Sequence, residues 1–207
     1  MPVSGVAFVL LVLSTVSFDG LSKTFWWLSI VGVNPLEYPG RTSVIFINTF
    51  GLYFTFFVFA VLYYVIQRLS LILNPELNKT SSFIYSMIPI AFGYHFAHYL
   101  PTFIVDVQYA FIALSDPLNF GWNIFGTGDW IVTTSYLTNY DSVVLIWFLQ
   151  VLIIVLAHVG AVIVSHFSQL EVSKSSKNSI IGQIPTTLLM IAYTVFGLWL
   201  LSTPVYS

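Results

Sequence analysis

The chain of 207 residues carries only 6 basic and 8 acidic side chains, so charged residues make up 7% of it, against about 25% in an ordinary soluble domain. Hydrophobic residues make up 57% and aromatic residues 18%. A soluble fold cannot cover its surface with so few charges, so the composition predicts an integral membrane protein. It excludes a nucleic-acid-binding protein, which needs a basic face, and a disordered chain, which needs much charge. The absence of cysteine excludes disulfides, thiolate metal sites and a cysteine nucleophile.

A helix needs about 20 apolar residues to cross the hydrocarbon layer of a membrane. Five stretches reach or nearly reach this length: 2–18, 43–66, 83–105, 142–168 and 184–203. The first is short, and we expect it to end at the Phe-Asp-Gly sequence of residues 18–20. It lacks the basic start and the small-residue cleavage site of a signal peptide. We therefore predict an all-α protein with a single polytopic domain, 1–207, and about five transmembrane helices.

The connections between these stretches indicate an orientation. We expect residues 19–42 to lie along the membrane surface, held there by Trp26 and Trp27. Basic residues number 2 and 0 in the first and third connections, and 2 and 2 in the second and fourth. The positive-inside rule then places the N-terminus inside and the C-terminus outside, in a membrane that we expect to be a prokaryotic inner membrane.

All four histidines fall in the third and fourth stretches, as the pairs His95 and His98, and His158 and His166. Ionisable residues at membrane depth are costly and by default mark functional sites. Counting from residue 83, His95 lies roughly 18 Å and His98 roughly 22 Å from the inner side. Counting back from residue 168, His158 lies roughly 15 Å and His166 roughly 3 Å from that side. Three histidines are thus expected near mid-membrane, while His166 is expected at the interface.

Helical periodicity adds further polar residues to this region. Five polar side chains fall within roughly an 80° stripe of the third helix: His95, His98, Thr102, Asp106 and Tyr109. Such a face should meet protein or water rather than lipid. Pro89 and Pro101 bracket the histidine pair, so we expect this helix to be kinked. Gln150, eight residues before His158, can face the same cavity.

The ligand types decide which chemistry such a cluster favours. Imidazoles with a carboxylate suit zinc, copper or iron, and three imidazoles with one open position would let a metal activate water. A single haem held by one histidine from each helix is another possibility. A proton relay through a polar cavity, and simple hydrogen bonding between helices, remain as alternatives. Our expected metal ligands are His95, His98, His158 and Asp106, converging on one site; no catalytic residue is assigned.

Four segments resemble a family of bacterial integral membrane proteins identified as fenitrothion hydrolase: LSTVSFDGLSKTFWW, PIAFGYHFAHYL, SDPLNFGWNIFGT and AHVGAVIVSH. The resemblance covers roughly Ser14 to His166 and matches the C-terminal half of the longer members. It implies a two-part membrane assembly whose other half is a separate subunit, and hydrolysis of an organophosphorus ester. The residues that it carries over are Asp19, His95, His98, Asp116, His158 and His166.

Two functions are therefore considered. The first is a membrane subunit with an intramembrane histidine cluster that binds a metal. The second is an accessory subunit of a larger oxidase or monooxygenase complex, with no chemistry of its own. Both require other integral membrane subunits as partners. A transporter or channel is disfavoured because the chain shows no inverted repeat.

Overall fold

The computed structural model describes residues 2–34, 40–75, 82–170 and 176–203. Its α-helices, in chain order, are α1 (Val3–Ser22), α2 (Phe25–Ile30), α3 (Gly40–Ser43), α4 (Ile45–Leu73), α5 (Ser82–Ser115), α6 (Tyr140–Leu170) and α7 (Ser176–Ser202). A single 3-10 turn, Ser135–Leu137, precedes α6. Within those four ranges the structure has no β-strand, so the predicted all-α class is confirmed.

Within the described ranges, four helices are long and apolar enough to cross a membrane: α1, α4, α6 over Tyr140–Ser168 and α7 over Ile180–Ser202. They support the prediction of an integral membrane protein. The fifth predicted span corresponds to α5, which is not among them because its histidines, tyrosines and Asp106 lower its hydropathy. α5 continues as one helix past Pro89 and Pro101 and ends at Ser115. The predicted kink stays a prediction.

The first helix is longer than expected, and it continues through Asp19 to Ser22. Lys23 Nζ lies 2.9 Å from Asp19 Oδ2, an i,i+4 ion pair that supports the last turn. Thr24 then begins α2, since its Oγ1 accepts a hydrogen bond from Trp27 N at 3.2 Å. The Phe-Asp-Gly sequence therefore lies inside α1, and the helix ends one turn later at the Thr24 cap.

The predicted orientation depends on residues that the structure describes only in part. Lys79 and Lys174 lie outside the described residues, as do residues 35–39 of the first connection. The side chains of Arg41 and Lys177 are likewise outside them. The direction of insertion therefore stays a prediction.

The chain forms two compact units, of which the first comprises residues 1–95 and 154–207. In this unit α1 packs against α4 and α7, and α4 packs against α7. Its buried core is made of aliphatic side chains with one aromatic ring: Val9, Leu13, Phe83, Ile84, Ile90, Ala91, Ala161 and Met190. Most of this core comes from α1 and the first turns of α5.

A close approach between helices fixes the corner where α1 meets α2. The rings of Phe18 and Trp27 pack edge to face with centroids 5.2 Å apart. Both rings lie over Gly51, where a Cβ atom would come within 2.5 Å of Phe18 and 2.7 Å of Trp27. Trp27 Nε1 also donates to Asn48 Oδ1 at 3.0 Å. The corner can dock on α4 only because position 51 has no side chain.

The second unit, residues 96–153, is a hairpin made of the later turns of α5, the loop 116–139 and the first turns of α6. Gln150 Nε2 donates to the Ala97 carbonyl at 2.8 Å, and this bond fixes the register of the two helices. Asp106 lies nine residues after Ala97, and Asp141 lies nine residues before Gln150. In an antiparallel pair these two aspartates are therefore at the same level.

Candidate functional site

The two mid-helix histidines of the first unit are held in the same way by their own helices. His95 Nδ1 lies 3.0 Å from the Ala91 carbonyl, and His158 Nδ1 lies 2.7 Å from the Ile154 carbonyl. A carbonyl can only accept, so in the neutral ring Nδ1 carries the proton. Each Nε2 is then the atom with the lone pair, which is the tautomer that metal-binding histidines use when a backbone carbonyl orients them.

The ring of His158 is directed toward α7. Its Nε2 is buried and has no hydrogen-bond partner. The ring lies close to the backbone of Met190, whose carbonyl already accepts the Thr194 hydroxyl at 2.8 Å. A buried acceptor without a donor costs about 1–3 kcal/mol. Among the described residues, His158 Nε2 is thus a buried ring nitrogen whose only polar neighbour is the backbone of Met190.

His95 and His158 lie at different levels. A Cβ atom at Gly160 would be 3.8 Å from Pro89 Cβ, so these two positions face each other. In an antiparallel pair His158 is then level with Ala91, four residues or about 6 Å along the helix from His95. The depths estimated from the sequence differed by only roughly 3 Å, because they took residues 83 and 168 as the inner ends of both helices. That alignment is wrong by about two residues, or roughly half a turn.

The structure does not assemble the expected metal ligands within this chain. Over the ranges that it describes, no three His, Asp or Glu side chains are close enough to hold a metal ion together. His158 turns toward α7, which adds to its difference in level from His95. His95 and His158 belong to the first unit, whereas His98 and Asp106 belong to the second. Their assignment as ligands stays a prediction.

The remaining predicted residues lie in other surroundings. His98 is half-buried and packs edge to face on Tyr99, with ring centroids 4.8 Å apart. Asp106 is exposed on α5, and His166 is exposed near the end of α6. Asp116 organises its own loop, since its carboxylate oxygens accept two backbone N–H groups. The structure gives Asp116 a structural role.

The first unit contains a cluster of polar side chains that the sequence did not predict as a set. Tyr193 Oη and Ser17 Oγ lie 2.9 Å apart, linking α7 to α1. The ring of Tyr94 packs edge to face on that of Tyr193 with centroids 5.5 Å apart, and it interacts electrostatically with Asp19. A Cβ atom at Gly197 would lie 3.0 Å from the Tyr94 ring, so glycine permits this approach. Polar atoms from α1, α5 and α7 thus meet inside the unit.

Sequence reasoning had part of the signal for this cluster. Asp19 is among the residues that the family resemblance carries over, and Tyr94 directly precedes His95. Nothing in the sequence places Tyr193, near the end of the chain, beside Ser17, because that pairing depends on how α7 packs on α1. The arrangement can link three helices by hydrogen bonds and one carboxylate, and it offers hydroxyl groups that both donate and accept.

Comparison with known proteins finds no matching family model, no matching curated protein and no matching solved structure. The resemblance to the fenitrothion hydrolase family therefore stays a prediction.

Proposed function

We propose that the chain is an integral membrane subunit of a larger, hetero-oligomeric membrane complex. The observation that carries this proposal is how little of two membrane helices the chain itself covers. In the most apolar stretch of α4 6% of the residues are buried, and in that of α6 11% are buried. A helix that packs one face against its own bundle buries an arc of about 100°, which is more than a quarter of its circumference. The buried fractions of α4 and α6 are well below a quarter.

Membrane helices associate through close packing, because lipid offers no hydrophobic driving force between them. α1 supplies such packing, with 44% of its most apolar stretch buried. α4 and α6 present most of their surface outward, including large aromatic side chains such as Phe50, Phe57 and Phe148. Helices of other subunits would give these two helices the packing that α1 already has.

The size of the native particle tests this proposal. The tagged chain is extracted from its own membranes in mild detergent, and the protein mass of the particle is measured by light scattering. We expect a mass well above the 23.3 kDa of one chain. A stable, helical particle of one chain only would contradict the proposal.

We also propose that α5 is the fifth membrane span. In the first unit it faces α6 at Gly160, and in the second unit it is bonded to α6 at Gln150. Because α6 can cross a membrane over Tyr140–Ser168, a helix that lies beside it in both units crosses with it. The polar residues of α5 then lie within the membrane, next to the apolar helix α6.

The two ends of the chain report the number of spans. The chain has no cysteine, so Ser4→Cys and Ser202→Cys each give one labelling site. Five spans place these sites on opposite sides of sealed vesicles, so a membrane-impermeant maleimide labels only one of the two variants. Equal labelling of both, before the vesicles are opened, would indicate an even number of spans.

Metal binding within the complex is a second proposal, which the unsatisfied Nε2 of His158 favours. Since the described residues do not gather three ligands, further donor atoms would have to come from another subunit. Metal analysis of the purified complex tests this. We expect bound metal in the wild type, its loss in His158→Leu and its retention in His166→Leu. If the wild-type complex contains no metal, the accessory-subunit function is the one that remains. Hydrolysis of an organophosphorus ester by a metal-activated water would then have no chemical basis.

A further inference from the structure

The last turns of α5 extend past the point where the α6 span begins. The bond from Gln150 to the Ala97 carbonyl places Asp106 level with Asp141, at the start of that span. Nine more residues of α5, 107–115, follow Asp106 in the same direction. They extend about 13 Å beyond this level. This end of the hairpin is therefore outside the apolar layer that α6 defines.

The loop 116–139 folds back onto these turns. Gln108 accepts from Thr133 N through Oε1 and donates to the Thr133 carbonyl through Nε2, both at 3.1 Å. Thr127 Oγ1 donates to the Phe111 carbonyl at 2.7 Å. We call residues 107–139 the cap, because helix and loop form one packed structure there.

Hydrogen bonds also fix the inside of the loop. The Asp116 carboxylate accepts from the backbone N–H groups of Phe120 and Gly121 at 2.8 and 2.7 Å. Ser115, which is fully buried, donates to Asn123 Oδ1 at 2.9 Å and accepts from Phe125 N at 3.1 Å. A loop held in this way presents its side chains in one fixed arrangement, which lowers the entropy that binding costs.

The outer surface of the cap is mainly large apolar side chains. Ile131 is 90% exposed, and both Phe120 and Phe125 are 68% exposed. Other exposed members of this surface are Leu118, Trp122, Ile124 and Trp130. Exposed apolar patches of this kind, placed outside the membrane layer and held rigid, are typical of interaction sites.

Charge indicates the kind of partner. The cap contains two acidic residues, Asp116 and Asp129, and no lysine or arginine, and Asp106 and Asp141 flank it on the two helices. Segments that bind lipid headgroups by charge carry lysine and arginine, so the cap has the wrong sign for an anionic membrane surface. Its complement is a protein surface with an apolar centre and a basic rim.

We propose that the cap is a docking surface for the part of another subunit that lies outside the membrane, with an apolar face rimmed by lysine or arginine. This inference rests on the proposed function. It names the surface through which this chain contacts the other subunit on the side of the membrane where the cap lies.

The first test compares two pairs of substitutions in the full chain, expressed in its own cells. Phe120→Ser with Phe125→Ser removes two exposed rings of the cap. Phe25→Ser with Ile30→Ser is the control, because these side chains of α2 are exposed too, at 45% and 58%. We expect the affinity of the cap variant for its partner to fall at least about tenfold, since buried aromatic anchors carry much of the binding energy of protein interfaces. The control should keep it, and circular dichroism should show equal helix content in both.

A second measurement does not depend on the folding of the cap variant. A fluorophore is attached at Ile131→Cys, the only cysteine then present. In the native complex it should be shielded from aqueous iodide and from brominated lipid alike. Raised salt that releases the partner should expose it to iodide.

Each outcome decides between the proposals. A wild type that is found as a single chain overturns both the docking surface and the proposed function. A wild-type complex that the cap variant also forms overturns the docking surface alone. Quenching of the Ile131→Cys fluorophore by brominated lipid in the native complex shows that the cap lies on the membrane, and this too overturns the docking surface alone.

Discussion

Gly51→Ala should destabilise the chain although alanine is the better helix former. The added Cβ atom would lie 2.5 Å from the Phe18 ring and 2.7 Å from the Trp27 ring. Neither ring can move freely, because the two pack against each other and Trp27 is bonded to Asn48. Overpacking of this kind costs about 1–3 kcal/mol, while replacing a mid-helix glycine by alanine gains about 0.5–1 kcal/mol. Taken at their midpoints, the two effects give a net loss of unfolding free energy of about 1 kcal/mol.

Gly160→Ala is the matched control. Gly160 also lies within a long helix, but its nearest neighbour would be Pro89 Cβ at 3.8 Å, an ordinary contact. Here the helix gain of about 0.5–1 kcal/mol should appear without a clash. The difference between the two variants therefore isolates the close approach of the α1–α2 corner to α4.

Reversible unfolding of the purified protein in mixed micelles, with increasing dodecyl sulfate, measures both free energies under the same conditions. In a background where the other five tryptophans are replaced by phenylalanine, Trp27 fluorescence reports whether the corner detaches first in Gly51→Ala. Equal stabilisation of both variants would refute the reasoning, because it would show that the rings do not lie over position 51.

Three further substitutions test other parts of the structure. Tyr193→Phe removes the hydrogen bond to Ser17 and should lower the unfolding free energy by about 1 kcal/mol. A double-mutant cycle with Ser17→Ala should give a coupling energy of similar size, and a coupling energy near zero would count against the hydrogen bond. Gln150→Leu removes the hydrogen bond that sets the register of α5 and α6, and it should also lower the unfolding free energy by about 1 kcal/mol in the same titration. An unchanged unfolding free energy would contradict that register. Asp116→Ala frees two amides of the cap, so their hydrogen exchange should become faster by about tenfold or more, whereas Asp129→Ala should leave these amides unchanged.

The class of the fold could be predicted from composition, because a chain with 7% charged residues has few alternatives to membrane helices. The bounds were less predictable. The first helix passes Asp19 because Lys23 pairs with it, and apolarity alone does not register an i,i+4 ion pair. α5 begins one residue before the predicted start and ends at Ser115, and the loop is bonded to its last turns.

The candidate site shows why depth is difficult to read from a sequence. The histidines were aligned by assumed helix ends, and an error of two residues moves a side chain by about 3 Å along the axis and onto the opposite face of the helix. Contacts with a third helix, such as that of His158 with the backbone of Met190, leave no pattern in the sequence. The same holds for Ser17 and Tyr193, which lie 176 positions apart.

The central claim is that this chain works within a complex containing at least one different membrane polypeptide. Native mass spectrometry of the particle, released from lipid nanodiscs that were formed directly from the native membrane, tests it most directly. The account predicts a mass that includes one 23.3 kDa chain and at least one polypeptide of another mass. A particle of 23.3 kDa, or of an exact multiple of it, would contradict the account.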